Sequence, residues 1–230
     1  MRYASHKECW MFKKLAIAGF ALAVATGASA QAQPKLFKDY AYDSPQSAYT
    51  QAQGFEDCSD WVGKPALCRD GATFLGEDFS EALVFTNGKL RMVTLYTHET
   101  DGLVDKVVTA MAKSFVMTLF ANGKTEMDLI KLASSAKNRE EVVSTLTSFQ
   151  SEAVANGNYS ATFIESFELP KKKPTDVIQL MMAAPENVRI AQLQVMGDAN
   201  DQSTVMVRFA YPKLDSKAAA KQVKAADEAF

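Results

Sequence analysis

Apolar residues alternate with polar ones in two parts of the chain and fall three or four apart between them, so strands are predicted to bracket a set of helices. The clearest signal lies at 82–96. Leu83, Val84 and Phe85 on one side, and Leu90, Met92, Val93 and Leu95 on the other, flank Thr86, Asn87, Gly88 and Lys89. Asn87-Gly88 suits a type I′ turn, in which both central residues take positive φ, and this predicts a tight antiparallel hairpin. Pairing Thr86 with Lys89 sets Phe85 against Leu90 and Leu83 against Met92 on one side of the ribbon. Residues 72–77 read as a further strand ahead of the hairpin. Upstream, 36–42 reads as an extended lead-in. Ser44 and Pro45 predict a short helix running to residue 53, where Gly54 stops it.

From residue 101 the period lengthens. Asp101 as cap, followed by Leu103, Val104, Val107, Val108, Met111, Phe115, Leu119 and Phe120, predicts a long helix over 101–121 closed by Asn122-Gly123. Thr125 with Asp128 predicts a second helix to about residue 136. Asn138 with Glu141 predicts a third, carrying Val142, Val143, Leu146, Phe149 and Val154 and stopped at Asn156-Gly157.

Alternation then returns. Tyr159, Ala161, Phe163, Glu165, Phe167 and Leu169 share one face of a predicted strand. The apolar run at 177–182 predicts a central strand buried on both faces. Two more strands follow at 188–196 and 203–211, the last with Val205, Val207, Phe209 and Tyr211 on one side and Pro212 at its end. An Ala/Lys-rich helix closes the chain.

Short links between neighbouring strands imply antiparallel pairing, and segregated runs of strands and helices indicate an α+β fold. The expected architecture is a single α+β domain over 31–230. Its antiparallel sheet takes strands from about 72–97 and 158–211 and packs against central helices at about 101–156. A division into two subdomains near Gly123 is the alternative.

Composition changes the reading at the start of the chain. Lys13 and Lys14, an apolar run over 15–25, and Ala28, Ser29 and Ala30 form a secretory signal with cleavage near Ala30, so residues 1–30 fall outside the fold. Met11 makes a better start than Met1 for such a signal. No cysteine stands directly after the cleavage point, where Gln31 follows, so a lipid anchor is not expected, and no later stretch has the length of a membrane span. A periplasmic or secreted protein follows. With 25 Lys and Arg against 27 Asp and Glu in the whole chain, and a basic signal removed, the remainder is mildly acidic and nucleic acid is not an expected partner. Cys58 and Cys68 then form an even pair in an oxidising compartment, and a structural disulfide worth about 3 kcal/mol is predicted. Their spacing does not suit a redox dithiol.

Candidate chemistry is sparse. His98 beside Glu99 and Asp101 offers a single nitrogen ligand in no recognised metal spacing, and no G-x-S-x-G turn accompanies it. Glu165, an acid on an apolar strand face, is the one carboxyl whose position suggests catalysis by acids alone; a rim position or a local partner is the simpler account. Phosphate-binding glycine loops are missing. Lys213, Lys217, Lys221 and Lys224 form one stripe of the last helix, read as a solvated face. Met92, Met181 and Met182 read as core filler. No cofactor is expected.

The course from Asp43 to Tyr96 runs through a capped helix, a disulfide loop and a hairpin with Phe85, Asn87, Gly88 and Leu90 at its tip. Over about a quarter of the chain it resembles small exported modules of the outer-membrane assembly lipoprotein and β-lactamase-inhibitor type. The resemblance implies a protein-binding role; the chain departs from it in lacking the lipid-anchor cysteine.

The expectation is therefore a non-enzymatic exported protein that binds an envelope protein. A small-molecule or lipid carrier is the alternative, with a pocket between the sheet and the 101–121 helix walled by Phe163, Phe167, Phe209 and Tyr211. An acid-only hydrolase using Glu165 is third.

Overall fold

The computed structural model of the chain describes residues 33–197 and 202–227, with side chains as far as residue 222. The predicted signal, residues 1–30, and the 198–201 loop lie outside the described residues. In chain order the elements are β1 (Lys35–Phe37), β2 (Tyr40–Ala41), β3 (Glu56–Asp57), α1 (Ser59–Val62), β4 (Ala66–Phe74), β5 (Glu77–Thr86), β6 (Lys89–His98), α2 (Leu103–Met111), β7 (Phe115–Ala121) and β8 (Glu126–Asp128). They continue with α3 (Leu129–Ser135), α4 (Arg139–Ala155), β9 (Asn158–Glu165), α5 (Val177–Ala183), β10 (Ile190–Gly197), β11 (Ser203–Ala210) and α6 (Pro212–Asp227). Helix and strand are mixed, and the dominant feature is a nine-stranded antiparallel sheet in the order β3-β4-β5-β6-β11-β10-β9-β7-β8. Both strand groups join it through the β6–β11 ladder, from Thr204↔His98 to Ala210↔Met92. The sheet is larger than the sequence pattern indicates, because β7 and β8 come from the segment expected to be helical.

The hairpin turn is as predicted: Asn87 and Gly88 have φ of 52° and 68°, with Thr86 opposite Lys89 and Phe85 opposite Leu90. One register differs. A bulge shifts the ladder so that Val84 faces Met92 and Leu83 faces Val93. Arg91 is the extra residue, and its guanidinium sits over Tyr42 and pairs with Asp43 at 2.8 Å. The amino-terminal segment docks there: Asp43 N–H donates to Leu90 O at 2.9 Å, and Leu90 N–H to Ser44 O at 2.9 Å. That docking replaces the predicted helix from Ser44. Only two 3-10 turns form, at Gln46–Ala48 and Gln51–Gln53, before Gly54 at φ 85°. The lead-in at 36–42 is likewise folded back on itself as β1 and β2, with Lys38 at φ 45° in the turn.

Three expectations in the middle and late chain are corrected. The helix predicted over 101–121 ends at Met111, and its N-cap is Gly102, not Asp101. Residues 115–121 pair with β9 as strand β7. Phe115, Val116, Thr118 and Phe120 are residue types that favour strands, and a short apolar run fits either period until a ladder is available. The second helix begins later than Thr125. Asp128 is its cap, accepting from Ile130 N–H and Lys131 N–H at 2.9 Å each. The 177–182 run is helix α5, not a central strand. Asp176 caps it by accepting from Gln179 N–H at 2.7 Å, and the Gln179 amide returns to Asp176 at 2.8 Å. Only Leu180 in it is buried; Ile178 and Met182 are exposed. The Asp176-to-Gln179 spacing is a capping signal that the apolar run obscured. By contrast α4 is capped by Asn138, which accepts from Glu141 N–H at 2.9 Å, as predicted.

One sheet face is closed. Phe79, Leu83, Phe85, Leu90, Val93, Leu95, Val205, Val207, Phe209, Leu193, Val195 and Phe163 are buried in one cluster with Leu36, Phe37, Tyr42 and Phe55 of the amino-terminal segment. Leu103, Val107 and Met111 of α2 and Ala153 of α4 complete it. Each such aliphatic or aromatic side chain contributes about 1.5–3 kcal/mol on burial. At one end of this face Glu81, 1% exposed, is held by Arg69 Nε at 2.8 Å and by the Tyr40 hydroxyl.

Candidate functional site

The other face is built from the alternate positions of the same strands. Ladder registers place Cys68, Ala82, Thr94, Arg208, Gln192 and Thr162 in one row across six strands. The next row holds Ser80, Tyr96, Met206, Gln194 and Ser160. At one flank Ile164, Leu180, Ala184 and Val188 form a small second core beneath α5, with Ile130 of α3 against it. Asp128 joins those two helices, since its second oxygen accepts from Val177 N–H at 2.9 Å. At the opposite flank lies the Cys58–Cys68 disulfide, with Cα atoms 5.7 Å apart. The one-turn helix α1 that follows Cys58 sets the Trp61 ring 4.8 Å from that of Tyr96. Trp61 itself is 62% exposed.

Between these flanks Tyr96, Met206, Arg208, Gln192, Gln194 and Thr162 are all half-buried. Arg208 is central. Its Nη1 donates to Gln194 Oε1 at 2.7 Å and to Gln192 Oε1 at 3.2 Å. Burial lowers its affinity for the proton below the usual guanidinium value, although an arginine stays charged. No carboxylate pairs with it among the described residues. Neutral amide oxygens orient the cation and leave its charge unanswered, which suits recognition of an anionic group.

A second concavity lies on the closed side. A cleft of about 370 Å³ opens between α2, α4 and the sheet. Val104, Val108, Met117, Phe120, Tyr159 and Leu193 line it, with Glu99 and Asp105 also on its wall. The Tyr159 hydroxyl is pushed up to about 12, first by burial and then by the charges of Glu99 and Asp105.

The residues singled out from sequence are dispersed. Phe163 and Phe209 lie in the main core, and Tyr211 donates to Lys35 O at 2.7 Å. Phe167 packs against the small core beneath α5. Glu165 is ion-paired with Arg189 at 2.7 Å, and the Arg189 guanidinium lies over Phe115 and Phe209. None of the five lines the cleft. His98, Glu99 and Asp101 border an open polar depression of about 340 Å³ with Gln202 and Ser203. Among the described residues no group of three His, Cys, Asp or Glu side chains is arranged to hold a metal. Lys213 donates to Met182 O at 3.0 Å and also to Ala184 O, and Lys217 pairs with Glu186 at 2.7 Å. Part of the predicted lysine stripe therefore ties α6 to the end of α5.

Apolar periodicity marks the closed face and does not single out Trp61, Tyr96 and Arg208, which lie outside it. The signal was present: an arginine between Val207 and Phe209 must point away from the side those two line. Fold and surfaces together define a mixed α/β protein built on a large antiparallel sheet with one closed and one partly open face. Comparison with protein-family models, with curated proteins and with solved structures gave no match.

Proposed function

We propose that this is a non-enzymatic exported protein that binds another protein of the cell envelope through the open sheet face. The carrying observation is Arg208, half-buried in mid-sheet and held by two neutral amide oxygens and the Met206 thioether with no carboxylate partner among the described residues, one row from Tyr96, whose ring meets the exposed Trp61. Aromatic anchors beside a desolvated arginine are the residue types that dominate protein interfaces. The partner would present a carboxylate to Arg208 and an apolar side chain to the ring pair. Export is supported by the signal-like start and by the disulfide, which oxidising compartments permit. Among the described residues no helix is long and apolar enough to cross a membrane.

The test is site-specific photo-crosslinking in intact cells. A cross-linker at Tyr96 should give a discrete protein adduct that weakens with Arg208→Gln, whereas one at Val143 on the exposed side of α4 should not. Equal adducts from both positions, or none from Tyr96, would end the reading.

The α2–α4 cleft favours a second reading, a small-molecule carrier. Native mass spectrometry of the purified protein would show a retained ligand as added mass. The acid-only hydrolase gains nothing, since Glu165 faces the guanidinium of Arg189.

A further inference from the structure

The cleft has a chemical bias that its volume alone does not convey. Its floor is apolar and aromatic: Phe120 stands 5.9 Å from the ring of Tyr159 and 5.9 Å from that of Phe149, with Leu193, Met117, Val104 and Val108 around them. Two carboxylates share the wall with these groups. Glu99 follows the end of β6, and Asp105 lies in the first turn of α2. The Gly102 cap, at φ 74°, turns the chain between them and also lines the cleft. Both acids are exposed, and neither is in an ion pair among the described residues. Both carboxylates nonetheless line the cleft, and their charges add to the burial that raises the Tyr159 hydroxyl. Phe120 and Tyr159 add the negative potential of their ring faces.

We infer that the α2–α4 cleft binds an amphipathic organic cation, its ammonium group between Glu99 and Asp105 and its hydrocarbon part on Phe120, Tyr159 and Leu193. Two unpaired negative charges select against anionic lipids and fatty acids, which would have to place a carboxylate or phosphate beside them. The ligand class is a single-chain or aryl amine or quaternary ammonium compound, of a size that about 370 Å³ can hold. The inference rests on the carrier reading of this cleft and is independent of the open sheet face.

Calorimetric titration with three probes of similar apolar length separates the possibilities: hexyltrimethylammonium, heptan-1-ol and heptanoate. The wild-type protein is expected to bind the cation most tightly and heptanoate least. Glu99→Gln with Asp105→Asn should weaken the cation about tenfold, equivalent to about 1.4 kcal/mol, and leave heptan-1-ol unchanged. Val154→Trp, at an exposed position on the cleft lining, should weaken the cation and the alcohol alike while the melting temperature is retained. Equal affinity for the three probes, or a double variant that binds the cation like wild type, overturns the cation assignment and leaves a carrier of neutral ligands. Absence of heat and of any melting shift with all three probes removes both.

Discussion

The two faces of the nine-stranded sheet are made from the same strands, and their adjacent residues end in opposite environments. On one, Phe163, Leu193, Val207, Leu95 and Phe209 lie beneath the amino-terminal segment, α2 and α4. On the other, Thr162, Gln192, Arg208 and Thr94 form a row whose middle is half-exposed. The difference is one of chemistry at alternate positions. Apolar side chains lose nothing by being covered. The Gln192 and Gln194 amides and the Arg208 guanidinium each carry more hydrogen-bonding groups than they use on one another, so an apolar helix laid over them would leave polar groups unpaired at about 1–3 kcal/mol each. Burial on that face is therefore found at its ends, at Ile164 under α5 and at Ala82, Val84 and Thr94 towards the disulfide, and not at Gln192 and Arg208 between them. A half-covered sheet of this kind keeps a surface free for recognition without weakening its core.

Paired substitutions test that contrast most directly. Phe163→Ala, on the closed face, should cost about 3–5 kcal/mol in chemical denaturation, whereas Thr162→Ala, its neighbour on the open face, should cost under about 1 kcal/mol. Comparable losses would mean that the open face is as tightly packed as the core. The polar exception on the closed face comes next. Arg69→Met leaves the Glu81 carboxylate buried with only the Tyr40 hydroxyl for company, and a loss of about 3 kcal/mol is expected. On the open side, Cys58→Ser with Cys68→Ser should cost about 3 kcal/mol, and the Trp61 fluorescence should shift because α1 follows the staple directly. Gly88→Val should cost about 1–2 kcal/mol through backbone alone, since nothing lies within 4 Å of the added Cβ while φ is 68°.

The smallest effect is a pH dependence at the rim of the core. Burial raises the affinity of the Asp215 carboxyl for its proton, against the hydrogen bond from Tyr42 at 2.8 Å and the charge of Arg91. With the folded value above the unfolded one, stability falls as pH rises through the carboxylate range, because the unfolded chain releases the proton first. Asp215→Asn should therefore gain stability relative to wild type between pH 3 and pH 7. Melting curves across that range check it; a constant difference would remove the burial argument.

Legibility followed the strength of the local signal. The Asn87-Gly88 hairpin, the Asn138 cap of α4, the β10 and β11 alternation and the cysteine pair could all be read directly, because turn chemistry, capping and period agree there. The 115–121 and 177–183 segments could not. Each is a seven-residue apolar stretch that suits a strand or a buried helix equally, and each took the form its neighbours allowed. The binding surfaces were harder still. Glu165 is paired with Arg189, and Phe163, Phe209 and Tyr211 lie in the main core while Phe167 packs on the smaller one; Trp61, Tyr96 and Arg208, by contrast, come from positions far apart in the chain.

From its sequence alone this protein had its antiparallel strands at both ends, its hairpin turn, its α4 helix and the nearness of its two bridged cysteines determined, since those depend on contacts within a few residues or on positions ten apart in the chain. Tertiary structure decided that residues 115–121 would extend the sheet, because the edge of β9 offered their backbone a ladder that a local sequence signal could not foretell. It also decided which face stayed open, because that depends on where α2, α4 and α5 come to rest, and their docking is set by surface burial summed over the whole sheet.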